Sequence, residues 1–155
     1  MNQFVWQKNI PASSASGHEF LKAIQILEQD GQLRGNDLAS PVGGVGGTLS
    51  EYMASLLRRA FFRDLMDVSD MDQLYALAEQ ADLPVDMIAN CIRKGLAMAA
   101  VCHDMELCKR FKVDGSPTYV LNEGRQILYG NLGYKLLAAN VREIMYRPEE
   151  VASWC

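Results

Sequence analysis

Strand-forming sequence is concentrated in one short stretch of this chain. Thr118-Tyr119-Val120-Leu121 and Gln126-Ile127-Leu128-Tyr129 are rich in β-branched and aromatic residues. Between them, Asn122-Glu123-Gly124-Arg125 reads as a hairpin turn, with Gly124 available for a positive φ. Nearly everything else has helical periodicity. A lone hairpin exposes two unpaired edges and buries too little to be stable by itself. Such a chain must dock its hairpin on helices, pair it with another chain, or draw on strands that its sequence does not advertise.

The helices can be followed from their start and stop signals. Gln3-Phe4-Val5-Trp6 suggests a short strand or an extended arm, interrupted by Pro11. Ser16-Gly17-His18-Glu19 matches a capping box, which predicts a helix from Ser16. Phe20, Ala23, Ile24 and Leu27 follow at core spacing, and Gly31 supplies the stop. Residues 31–47 read as a glycine-rich loop. It lacks the Lys-Ser/Thr pair of a phosphate-binding loop, because Thr48-Leu49 follow Gly47. Thr48-Leu49-Ser50-Glu51 is a second capping box. It opens a helix whose apolar face holds Tyr52, Met53, Leu56, Leu57, Ala60 and Phe61 and whose Arg58, Arg59 and Arg63 face solvent. A helix after Ser69 carries Met71, Leu74, Tyr75, Ala78 and Ala81. A shorter one follows Pro84 and stops at Gly95, and another runs from about Leu96 to Phe111 with Met98, Val101, Cys102, Met105 and Cys108 expected inward. After the hairpin, a last helix from Tyr134 to Met145 places Leu136, Leu137, Val141 and Ile144 on one side.

Composition bounds the function. A chain of 155 residues is long enough for one domain with a real core. Its net charge of −4 argues against a general nucleic-acid binder, which needs a basic face. No apolar run approaches the ~18 residues of a membrane span, so no membrane partner is expected. Met1 to Ser16 has no signal-peptide pattern, which leads us to expect a cytoplasmic protein with reduced thiols. None of Cys91, Cys102, Cys108 and Cys155 forms a C-x-x-C pair, and His18 and His103 have no zinc-type spacing. No metal is therefore expected. Cys102 and Cys108 would lie ~9 Å apart along one helix, beyond disulfide reach. Cys91, Cys102 and Cys108 are expected as small buried hydrophobes. Cys155, beside Trp154, is expected exposed and is assigned no role.

The run Gly115-Ser116-Pro117-Thr118-Tyr119-Val120-Leu121-Asn122-Glu123-Gly124-Arg125-Gln126, then Leu128-Tyr129-Gly130-Asn131-Leu132-Gly133-Tyr134 and Ala139-Asn140, closely resembles the C-terminal part of DsbA-family thioredoxin-like proteins. The stretch from about Leu56 to Phe111 resembles that family's helical insertion, and Trp6 with Ser13-Ser14 weakly resembles the run entering it. The resemblance implies an α/β, thioredoxin-like fold of DsbA type over residues 1–155. That fold would be mostly helical, with an insertion at about 48–111, a C-terminal part at about 113–146, and an incomplete sheet formed by the hairpin at about 118–129. It implies a cis bond before Pro117 and makes Ser116, Pro117 and Thr118 the substrate-binding residues, where backbone groups pair with an extended peptide or thiol substrate.

The resemblance implies thiol–disulfide oxidoreductase chemistry, yet the strand–C-x-x-C–helix unit that performs it is absent from these residues. No residue here is assigned a catalytic role. The expectation is a chain that is redox-inactive alone, with the catalytic unit supplied upstream or by a second chain. The alternatives are a non-catalytic scaffold that binds a peptide or self-associates through the hairpin edge, and a relative of the glutathione-dependent isomerases or transferases. Glutathione is thus a possible ligand, and no other cofactor is expected.

Overall fold

In the computed structural model, residues 2–8, 10–33 and 47–146 are described. Among them are seven α-helices: α1 (Val5–Lys8), α2 (Ala15–Gln29), α3 (Leu49–Asp64), α4 (Met71–Gln80), α5 (Val85–Arg93), α6 (Leu96–Arg110) and α7 (Tyr134–Tyr146). Two strands, β1 (Thr118–Leu121) and β2 (Gln126–Tyr129), form an antiparallel two-stranded sheet. The protein is therefore mostly helical, with a small sheet. It divides into two compact units, Met1–His103 and Asp104–Cys155.

The first unit is a helical bundle whose core is assembled mainly from α2, α3, α4 and α5. Phe20 and Ile24 on α2, Met53 on α3, Leu74 on α4 and Ile88 on α5 are all fully buried. Full burial of each such side chain contributes roughly 1.5–3 kcal/mol of transfer free energy. Gly17 on α2 is buried beside Leu57 and Val68, and a Cβ there would meet them at ordinary contact distances of 3.5 Å and 3.6 Å.

Local chemistry sets the helix ends. The Thr48–Glu51 capping box is present in full: the Thr48 hydroxyl accepts from the Glu51 N–H, and the Glu51 carboxylate accepts from the Thr48 N–H. The Asp70 side chain caps α4 by accepting from the Asp72 N–H. Gly31 (φ +69°) and Gly95 (φ +75°) follow α2 and α5 as expected. The α3 helix ends without glycine, on Leu65 at φ +62°.

Three local expectations are corrected. Gln3 to Trp6 form neither strand nor arm. Asn2 folds back so that its Oδ1 accepts from the Phe4 N–H and its own N–H donates to the Phe62 carbonyl at 2.7 Å. This turn starts α1 and drives Val5 into the core at 1% exposure. Secondly, α2 begins at Ala15, so Ser16 and Glu19 lie inside the helix and form no box; Ser13 Oγ takes the Ala15 N–H instead. Thirdly, α6 has the expected span but buries only Ala97. Met98, Cys102, Met105 and Cys108 are exposed and Val101 is half-buried. Helical spacing marks which side chains share a stripe, not whether anything packs against it. The glycine-rich stretch 34–46, Pro148 and Cys155 lie outside the described residues.

In the second unit the hairpin register pairs Thr118 with Tyr129, Tyr119 with Leu128, Val120 with Ile127 and Leu121 with Gln126. The connection is a 3-10 turn at Asn122–Gly124 in which Asn122, Glu123 and Gly124 all have positive φ. Gln126 Nε2 donates to Asn140 Oδ1 on α7, and Asn140 Nδ2 donates to the Leu136 carbonyl at 2.7 Å. None of the described residues of this unit is buried. On α7, Leu137 and Ile144 are half-buried, whereas Leu136 and Val141 are exposed.

Candidate functional site

The loop leading into β1 is set by the end of α6. Lys112, at φ +52°, turns the chain, and the Val113 N–H closes the helix by donating to the Cys108 carbonyl at 2.8 Å. Residues 114–117 then cross to the strand. The Ser116–Pro117 peptide bond is cis, as the sequence resemblance implies.

Three contacts hold this loop. The Thr118 hydroxyl donates to the Gly115 carbonyl at 2.5 Å, which closes the loop on itself. The Gly130 N–H donates to the Pro117 carbonyl at 2.9 Å, extending the hairpin ladder one step past Thr118. The Tyr129 ring lies against Gly115 so closely that a Cβ there would stand 2.8 Å from its hydroxyl. Glycine at this position is what lets the ring lie flush with the backbone.

Of the predicted site residues, Ser116 and Pro117 are exposed and Thr118 is half-buried with its hydroxyl engaged. The Ser116 N–H and C=O make no hydrogen bond among the described residues. An exposed, adjacent donor and acceptor beside a two-stranded sheet can accept one further extended backbone, the way strand addition works. No titratable side chain belongs to the Ser116–Thr118 triplet, so it can position a peptide but cannot move electrons or protons by itself.

None of the described thiols belongs to this loop. Cys102 and Cys108 are free and exposed on α6, while Cys91 is free and buried on α5. Burial pushes the Cys91 thiol up, aided by the Asp30 carboxylate and opposed by Lys94. It is therefore a poor nucleophile, because the thiolate is the reactive form. The exposure of Cys102 and Cys108 corrects the expectation that both are buried. Neither lies in the first turn of α6. Among the described residues no group of three or more His, Cys, Asp or Glu side chains could hold a metal ion. No helix among them is long and apolar enough to cross a membrane.

Tyr129 was missed as a support of the loop, and Asn140 as the partner of Gln126 on β2. Their signal was available only as residue type: an aromatic ring at a strand end immediately before a glycine-containing turn, and an amide on the helix that follows. Neither says which partner it meets. Compared with known proteins, the chain matches no family model and no curated protein with significant similarity.

Proposed function

We propose that this chain is a DsbA-type thioredoxin-like protein that holds an extended polypeptide along the Ser116–Thr118 loop. In this reading it takes part in thiol–disulfide exchange only when another polypeptide supplies the dithiol. The observation that carries the reading is the Ser116 backbone pair, exposed and without a hydrogen-bond partner among the described residues, beside the open hairpin. The run from Gly115 to Asn140 supports the family, and the absence of any C-x-x-C pair supports inactivity of the chain alone.

Two measurements test it. In an insulin-reduction assay with excess dithiothreitol, the chain should give no acceleration over dithiothreitol alone; appreciable turnover would place a redox centre in these residues and overturn the reading. Titrating an unfolded, carboxymethylated peptide should shift the Ser116 and Thr118 backbone amide resonances first. Unmoved resonances at saturating peptide would remove the loop as the binding site.

A second reading, a scaffold that self-associates through the hairpin, is favoured by one observation. The sheet has two strands only among the described residues, and none of the described residues in its unit is buried. A second copy adding its strand would cover that edge. Sedimentation should then show the mass rising with concentration, and a monomer at high concentration removes this reading.

A further inference from the structure

A cleft in the first unit, unconnected with the peptide-binding reading, has the features of a ligand site. It measures about 570 Å³, within the roughly 300–1,000 Å³ of small-molecule pockets. Trp6, Ile10, Leu21, Leu57, Phe61 and Phe62 supply much of its apolar lining. Three of these rings brace one another edge to face: Trp6 on Phe61 at 5.7 Å, Trp6 on Phe62 at 6.3 Å, and Phe61 on Phe62 at 4.8 Å between centroids. The aromatic wall is thus ordered by its own packing. Trp6 is nonetheless 58% exposed, a large apolar surface left to water at the mouth of the cleft.

The charges on the cleft have one sign. Arg58 lines it, with Ser14 and His18 as the other polar side chains, and no carboxylate does so among the described residues. The Arg58 guanidinium has no hydrogen-bond or ion-pair partner among those residues. Its neighbour Arg63, by contrast, is committed to Asp64 at 2.8 Å. Arg58 and Phe62 also line an adjoining depression together with Arg59, so the cationic end of the groove continues beyond the cleft itself.

The geometry points to a binding site for a small amphiphilic monocarboxylate, an alkyl or aryl chain of medium length. The apolar chain lies against Trp6, Phe61 and Phe62, and the carboxylate pairs with the planar fork of Arg58. A guanidinium matches a carboxylate with two parallel N–H···O bonds. Within the cleft itself the single guanidinium of Arg58 matches the two oxygens of one carboxylate. The concave shape and the volume select a small molecule over a helix or a second copy of the chain.

The test uses the full chain with Trp154→Phe, which leaves Trp6 as the sole tryptophan. Trp6 emission is followed during titration with octanoate, octanol and octylamine, each below its aggregation concentration. Octanoate should saturate one site and shift the emission to the blue as water leaves the indole. Octanol should bind at least about fivefold more weakly, and octylamine more weakly still. Arg58→Gln should weaken octanoate about fivefold, or about 1 kcal/mol, and leave octanol unchanged. Ala54→Phe, which fills the cleft, should abolish the response to all three. Circular dichroism checks that the variants fold, and Arg58→Gln, at an exposed position, keeps the test decisive should Ala54→Phe not fold. Three results overturn the assignment: octanoate binding without saturation, equal affinity for octanoate and octanol, or an Arg58→Gln chain that binds octanoate as tightly as its parent.

Discussion

Replacing Glu28 with alanine should loosen the start of α3. The Glu28 carboxylate reaches from the last turn of α2 to accept three hydrogen bonds: from the Leu49 N–H at 2.6 Å, the Ser50 N–H at 3.2 Å and the Ser50 hydroxyl at 3.0 Å. The Thr48 hydroxyl serves the Glu51 N–H, so Glu28 satisfies two of the first-turn amides that this capping box leaves over. At roughly 1 kcal/mol net per bond, the three set a ceiling of about 3 kcal/mol. Water can reach the half-buried site and recover part of that, while the loss of a negative charge at a helix N-terminus adds about 0.3–1 kcal/mol. The expected cost of Glu28→Ala is therefore about 2 kcal/mol, or about 4–8 °C in melting temperature for a chain of this size. Glu28→Gln keeps one acceptor oxygen and should cost about half as much. Urea unfolding followed by the helical circular-dichroism signal, at constant m-value, measures both. A Glu28→Ala chain within about 0.5 kcal/mol of the parent would falsify the argument, and so would equal losses for alanine and glutamine.

Other expectations follow from single sites. Gly124→Ala imposes a side chain at φ +93° with its Cβ 2.7 Å from the Phe111 ring. Strain of about 1 kcal/mol from the backbone, plus displacement of the ring, should destabilise the hairpin and reduce dispersion of the β1 and β2 amide resonances; an unchanged spectrum counts against the contact. Alkylation by iodoacetamide under native conditions should modify Cys102 and Cys108 readily and spare Cys91, which reacts only on unfolding. Mass mapping that finds Cys91 labelled as fast as the others refutes its burial. Asp70 is held below the usual carboxylate range, first by the Gln73 side-chain amide and then by the Asp72 N–H. Because its folded pKa is the lower one, its contribution is complete above the unfolded value of about 3.9 and is lost as pH falls through the folded value. Asp70→Ala should therefore lower stability at neutral pH and flatten the acid limb of the stability curve; a limb as steep as the parent's contradicts this linkage.

What could be read in advance was what neighbours in sequence decide. Thr48 and Glu51 form their box because the two are three residues apart, and Gly31 and Gly95 stop helices by their own backbone freedom. The hairpin register needs only β1, β2 and the turn between them. The Ser116–Thr118 loop was singled out by the family resemblance of its run alone, since a proline before a strand reads locally as no more than a turn, and Tyr129 lying on Gly115 was not foreseen at all. What escaped notice depends on distance along the chain or on residues acting against type. Glu28 reaches Leu49 across 21 positions, and Asn2 reaches Phe62 across a longer interval still. Leu65, Asp82 and Lys112 take positive φ without being glycine, so they carry no punctuation that composition reveals. The apolar stripe on α6 was visible, while its exposure was not. Arg58 reads as a solvated side chain and, like His18, is exposed, yet both line the aromatic cleft.

Every fully sequestered apolar side chain among the described residues belongs to the segment up to His103. Inherited change should consequently meet two different filters. In that segment, replacements at Phe20, Leu74 or Ile88 are screened by shape and bulk. From Asp104 to Tyr146, the screen is backbone geometry at Gly115, Gly124 and Gly130, and most other positions can drift in identity at little thermodynamic cost. A library randomised evenly along the gene and recovered after heat challenge should lose diversity at its front and retain it behind.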